Sequence, residues 1–214
     1  MNVSSPGEGH SMIGRKMLAL DDALRAAGIG FAFGGAIALS YHVENPRTTT
    51  DIDLDIMVDP TEDAIDGLVG ILERLFPIPK MKREELLAVG QVRFMWDATP
   101  VDIFTHTHEF HSDIAGHIKW VPFEGRTIPI VSALHLAVFK AFLDRPKDWV
   151  DIQEMAYLPD FPKLRLIVWL RELLGDDHRV ARVHALESHR PPEKTFRQVL
   201  DEAQKKQVAD PGPA

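Results

Sequence analysis

Residues 34–55 read GGAIALSYHVENPRTTTDIDLD, and the arrangement of the whole chain hangs on them. The two glycines follow a short apolar run, residues 29–33, and precede residues 36–42, which have helical character. That is the pattern of a strand, a tight turn and a helix. Asn45 and Pro46 then break the helix. From 51 to 57 acidic and apolar residues alternate: Asp51, Asp53 and Asp55 fall on one face, Ile52, Leu54 and Ile56 on the other. Period-two alternation is the mark of a strand.

The same signals extend in both directions. Residues 12–27 place Met17, Leu20, Leu24 and Ala27 on one helical face, and Gly28 stops the helix. Thr61 is suited to cap a helix reaching Phe76, after which Pro77, Pro79 and a charged segment around Lys82–Glu85 follow. Residues 91–96 with 100–104, and 118–123 with 126–130, read as two hairpins, the second turning at Glu124 and Gly125. Beyond Ser132 the pattern is helical over 132–143, 147–157, 162–174, 177–186 and 192–207. The expected architecture is α/β: a mixed sheet flanked by helices over residues 12–130, then a helical part over 131–207. Residues 1–11 and 208–214 read as flexible tails.

Composition bounds the chemistry. The chain of 214 residues is long enough for a substantial core and carries a net charge of −8. It has no cysteine, which excludes disulfides, thiolate zinc sites and cysteine nucleophiles. No apolar run approaches a membrane span, and the N-terminus lacks the apolar core of a signal peptide, so a cytoplasmic location is expected. The acidic excess lies before residue 163, whereas the last quarter is slightly basic. A broad grip on nucleic acid is disfavoured near the acidic stretch. Arg165, Arg171, Arg179, Arg182, Arg190 and Arg197 offer a basic face further on, or plain solvated helix surface.

Carboxylates two apart on a strand stand about 6.6 Å apart on one side. Crowded acids repel unless a cation sits among them, and Mg²⁺ is commonly held by one or two carboxylates together with substrate phosphates. Asp51 and Asp53 are therefore candidate metal ligands, against the alternative of an edge strand with a solvated acidic face. Asp55, further along, is read as belonging to such a solvated face. Gly34 and Gly35 let the backbone approach a phosphate at a helix start. Arg47 and Thr49, just upstream of Asp51, either contact phosphate or shape the loop. Asp102, isolated among Val101, Ile103 and Phe104, is a candidate third metal ligand and base for an attacking hydroxyl, or a surface residue at a strand end. Lys140 interrupts an apolar helix and either reaches a triphosphate or snorkels to water. Asp148 and Asp151 share a helix face and are placed to orient it, or form an ordinary salt-bridged helix start. His106, His108, His111 and His117 match no defensible zinc spacing and read as a polar loop or helix start.

In this order the glycine pair, R-x-T-x-D-x-D, a carboxylate strand, a lysine and R-x-K-D-x-x-D resemble the nucleotidyltransferases of the AbiEii/MenT toxin type, within the DNA polymerase β-like superfamily. The resemblance spans roughly residues 28–155. It implies Mg²⁺ (or Mn²⁺) held by Asp51, Asp53 and Asp102, with a nucleoside triphosphate (NTP) as substrate. Gly34, Gly35, Thr49 and Asp148 match nucleotide-site positions, and Lys140 matches the family lysine. Many superfamily members have Gly-Ser where this chain has Gly35-Ala36, so one hydroxyl near the phosphates is missing. Toxin-type members modify tRNA ends and are paired with an antitoxin; others in the superfamily modify proteins or small molecules such as aminoglycosides. A catalytically inactive nucleotide-binding or antitoxin module is the non-enzymatic alternative.

Overall fold

The alternating acids do form a strand, and it lies inside the sheet rather than at its edge. The structure, a computed structural model, describes residues 12–46 and 48–190. Strands β1 (Phe31–Phe33), β2 (Ile52–Ile56), β3 (Gln91–Trp96), β4 (Thr99–Thr105), β5 (Lys119–Phe123) and β6 (Arg126–Ile130) make one sheet in the order β3-β4-β2-β1-β6-β5. β2 runs parallel to β4 and antiparallel to β1, so the sheet is mixed. Ile52, Leu54 and Ile56 are at most 1% exposed. Burial of each contributes roughly 1.5–3 kcal/mol, which fixes the strand's register, since a one-residue slip would bury the acids in their place.

The helices are α1 (Met12–Ala26), α2 (Gly35–His42), α3 (Glu62–Leu72), α4 (Lys80–Val89), α5 (Glu109–Gly116), α6 (Ala133–Leu143), α7 (Pro146–Ala156), α8 (Lys163–Leu174) and α9 (His178–His184). α1 ends in a Schellman motif: Ile29 N–H donates to Leu24 O and Gly28 N–H to Arg25 O, with Gly28 at φ +69°. Capping consumes Ile29, which is why β1 starts at Phe31 and not at 29 as the apolar run suggests. Thr61 caps α3 as expected, accepting from Ala64 N–H. The charged segment after Pro79 is the helix α4, which sequence periodicity does not reveal because it buries Leu86 alone. The β5–β6 hairpin turns at Glu124 (φ +46°) and Gly125 (φ +81°), a pair of left-handed residues that matches strand twist.

One hydrophobic cluster runs from Met17 to Val183 through both the sheet and the C-terminal helices. α6 packs on α2, α7 and α8. This places α6 against the helix that follows the glycine pair. Lys16 of α1 is buried and donates to the Trp96 carbonyl (2.5 Å) and Thr99 Oγ1 (3.1 Å), tying the β3–β4 hairpin to the first helix. No helix among the described residues is long and apolar enough to cross a membrane. The helix expected over 192–207, both tails and Arg47 lie outside the described residues.

Candidate nucleotide and metal site

Gly34 and Gly35 join β1 to α2 directly above β2. Gly34 N–H donates to the Asp53 carbonyl at 2.9 Å, so the turn is stitched to the acidic strand. Gly35 sits at φ +53°, and a Cβ there would lie 1.8 Å from Asp53 Oδ2. Two independent constraints thus demand glycine: the backbone conformation and the carboxylate pressed against it. The start of α2 and the Asp53 carboxylate consequently share one small volume.

Asp51 immediately precedes β2. The Thr49 hydroxyl donates to Asp51 Oδ1 in a short hydrogen bond and contacts the Asp51 carbonyl at 3.2 Å. Thr49 therefore fixes the orientation of Asp51. Asp53 is directly opposite Asp102 on the parallel neighbour β4. Residues opposed in this way point to the same side of the sheet on strands about 4.8 Å apart. Burial, and then the charges of Asp51 and Asp102, push the Asp53 carboxyl up to about 6, opposed by Lys140 and Arg93. Asp51, Asp53, Asp102 and Lys140 are thus brought to one place in the fold.

Two features were not legible in the sequence. Arg93 on β3 faces Asp102 across the antiparallel ladder and grips it with two hydrogen bonds, Nε to Oδ1 at 2.7 Å and Nη2 to Oδ2 at 2.5 Å. Asp102 is buried at 7% exposure. It is not a surface residue at a strand end. Arg145, ahead of α7, donates from Nε to Asp148 Oδ2 at 2.5 Å and from Nη2 to Oδ1 at 3.0 Å. Its charge is favoured first by that Asp148 pair and further by Asp53 and Asp51, so it faces the same cluster.

Lys140 does not snorkel. It is 3% exposed, with Nζ 2.5 Å from Asp151 Oδ2 and 3.8 Å from Asp148 Oδ1. Asp148 is wholly buried; both its oxygens accept from Arg145, and Oδ1 also faces Lys140. Asp55 corrects the expectation of a solvated acid. It is 3% exposed, because β2 has a neighbour on each side and a helix above. Its Oδ1 has no hydrogen-bond partner among the described residues, and a Cβ on Gly34 would touch its Oδ2 at 3.4 Å. Burial, and then Asp53, raise its pKa well above the ordinary carboxylate range.

The donor set suits a hard divalent cation. Arg93, Lys140 and Arg145 are each already engaged by an acid: Asp102, Asp151 and Asp148 respectively. Asp51 and Asp53 have no cation bonded to them among the described residues, Asp53 sits where burial penalises its charge, and oxygen-only ligands of this kind are what Mg²⁺ or Mn²⁺ takes. Elsewhere, His108 Nδ1 caps α5 by accepting from Phe110 N–H at 3.1 Å, so the histidine-rich segment is a helix start. His111 is driven down to about 4 by burial and then by His106. The group of three His/Asp ligand atoms lying within 4.8 Å of one another among the described residues is a different one, Asp113, His117 and His135.

No protein-family model matches the chain, and no curated protein matches it either. Solved structures do. An antigenic nucleotidyltransferase-like protein from Paracoccidioides brasiliensis aligns with a TM-score of 0.52 at 17% identity, over 83% of this chain and 94% of that one. The antibiotic-resistance factor ANT(2'')-Ia aligns at 0.44 and 13% identity, over 91% and 98%. JHP933 from Helicobacter pylori aligns at 0.43 and 12% identity, over 92% and 94%. The likeness to the first, at a TM-score of 0.52 and 17% identity, is one of architecture. The chain has a nucleotidyltransferase-like fold, with the glycine turn and the aspartates of β2 and β4 gathered at one end of the mixed sheet.

Proposed function

We propose that the chain is a nucleotidyltransferase dependent on Mg²⁺ (or Mn²⁺), moving a nucleotidyl group from an NTP to an acceptor hydroxyl. The observation that carries this reading is the opposition of Asp53 and Asp102 in register beneath Gly35, a residue that nothing larger can replace. Asp51, oriented by Thr49, and Asp53 would hold the ion, with Asp102 as the third carboxylate. The bound cation would neutralise triphosphate charge and orient the α-phosphorus for in-line attack.

The rest falls to the chain itself. Gly35 and the start of α2 offer backbone N–H groups to phosphate, the Gly34 N–H being held by the Asp53 carbonyl. Asp102 takes the proton from the acceptor hydroxyl as the new O–P bond forms. The bond from the α-phosphorus to the β-phosphate oxygen breaks, and pyrophosphate leaves. Arg93 uses two of the carboxylate's four lone-pair sites, so Asp102 keeps acceptor capacity. Lys140 and Arg145 are held by Asp148 and Asp151 at the edge of the cluster, where triphosphate charge would lie. Residues 12–130 carry the catalytic part and the helices from 131 onward complete it by delivering Lys140.

The order of these elements supports a toxin of the AbiEii/MenT type, acting on tRNA and held in check by an antitoxin. A cationic small-molecule acceptor, of the aminoglycoside kind, is the second reading. It is favoured because four of the five described arginines of the basic face, all but Arg171, are already paired: Arg165 with Asp113, Arg179 with Asp177, Arg182 with Asp144 and Arg190 with Glu154. The test is incubation with each radiolabelled NTP and Mg²⁺, with total tRNA or an aminoglycoside panel, beside an Asp51→Ala control. Label on tRNA that the control lacks supports the toxin reading. Label on a drug supports the second. No transfer and no NTP binding would overturn both.

A further inference from the structure

We propose that Asp113, His117 and His135 form a separate binding site for a borderline-soft divalent metal, Zn²⁺ in the first instance. A chain without cysteine can hold such an ion only through imidazole and carboxylate. Asp113 on α5 and His117 at its C-cap are four residues apart, hence on one face. His135 reaches them from the first turn of α6. One ligand atom from each lies within 4.8 Å of the others.

One proton shift suits the cluster to a metal. His117 Nδ1 lies 2.8 Å from the Asp113 carbonyl oxygen, to which it donates, leaving the lone pair on Nε2. His135 Nδ1 lies 2.7 Å from Ser132 Oγ, and Nε2 lies 2.8 Å from Asp113 Oδ2. Metal at Nε2 of His135 takes the place of the proton donated to Asp113. The neutral ring keeps its one proton, now on Nδ1 and donated to Ser132 Oγ. Each imidazole would then have its outer nitrogen tied to an oxygen, the arrangement that orients metal-binding histidines.

The geometric cost is small. Two ligands on one tetrahedral zinc, each ~2.0–2.2 Å from it, sit about 3.3 Å apart. The His135–Asp113 contact must open by about half an ångström, and His117, which is half-exposed, must close in. His135 is fully buried, so its ring is held in place by the packing around it. Arg165 Nη2 is 3.6 Å from Asp113 Oδ2, but its side chain is 55% exposed and can turn to solvent.

The site is distinct from the aspartates of β2. His135 precedes Lys140 by five residues on α6, ~7.5 Å along the axis. It turns to Asp113 of α5, whereas Lys140 turns to Asp151 of α7. An ion there would pin α5 to α6 beside the Phe110, Phe139 and Trp169 rings.

Calorimetric titration of the metal-stripped full chain with Zn²⁺, together with the visible spectrum of its Co²⁺ form, tests this. Wild type should bind one Zn²⁺ that survives Asp51→Asn, and show the intense bands of tetrahedral Co²⁺. His117→Ala, a change at a half-exposed position, should abolish the bands and weaken that Zn²⁺ by at least about tenfold. No Zn²⁺ binding, unchanged affinity in His117→Ala, or loss of the bands with Asp51→Asn alone would overturn the proposal. Loss of nucleotidyl transfer would bear only on the aspartate site.

Discussion

Replacing Asp53 with asparagine should make the metal-free chain more stable while removing its proposed activity. The Asp53 carboxyl is pushed from 3.8 up to about 6 by burial, Asp51 and Asp102. An acid whose pKa is raised on folding binds its proton more tightly in the folded chain than in the unfolded one. Stability therefore falls as pH rises from the unfolded value near 3.8 through the folded value of about 6, and the whole penalty is present above that. The interval corresponds to about 3 kcal/mol, an upper figure for the cost of ionised Asp53 at pH 8. Asparagine keeps the shape and removes the charge. For a chain of this length, ~3 kcal/mol corresponds to a rise in Tm of about 6–12 °C. Thermal melts of both proteins without metal should show the gap at pH 8 and its disappearance below about pH 4. Added Mg²⁺ should narrow it by stabilising wild type. An Asp53→Asn protein no more stable than wild type at pH 8, or a gap of equal size at both pH values, would refute the reasoning.

Gly35→Ala should abolish label transfer and lower Tm, because its Cβ would lie 1.8 Å from Asp53 Oδ2; Gly28→Ala, also left-handed but with nothing within 4 Å, should cost only the ~1–2 kcal/mol of the backbone conformation. Arg93→Gln removes a cation that lowers the Asp53 pKa, so the acid limb of a pH–rate profile for nucleotidyl transfer should move to higher pH. Lys140→Met removes an ammonium buried between Asp148 and Asp151, and chemical denaturation should show a loss of roughly 3–5 kcal/mol, the usual result of breaking a buried ion pair from one side.

What could be read from the sequence follows from what acts locally. The alternation of residues 51–57 requires only side-chain geometry along one strand, and the Glu124–Gly125 turn requires only two left-handed residues. Gly35 announces itself because no other residue serves there. Features set by pairing between distant segments were not legible. Arg93 meets Asp102 only through the β3–β4 register, and nothing in its own neighbourhood marks it. Asp55 reads as a solvated acid because alternation shows which residues share a face but not what covers that face; β2's place between β1 and β4 decides it. α4 leaves no mark in the sequence because a helix that buries one leucine has almost no periodic signal. Ser132, His135 and Asp113 come together from two helices, and no spacing rule links them.

The aspartates beneath the glycine turn are proposed to hold a divalent ion together with a triphosphate. Anomalous diffraction from crystals grown with Mn²⁺ and a non-hydrolysable NTP analogue measures this directly. A manganese peak is expected between the Asp51 and Asp53 carboxylates, with the analogue's phosphates at the Gly34–Gly35 turn. Manganese absent from those carboxylates, or phosphates bound away from the turn, would contradict it.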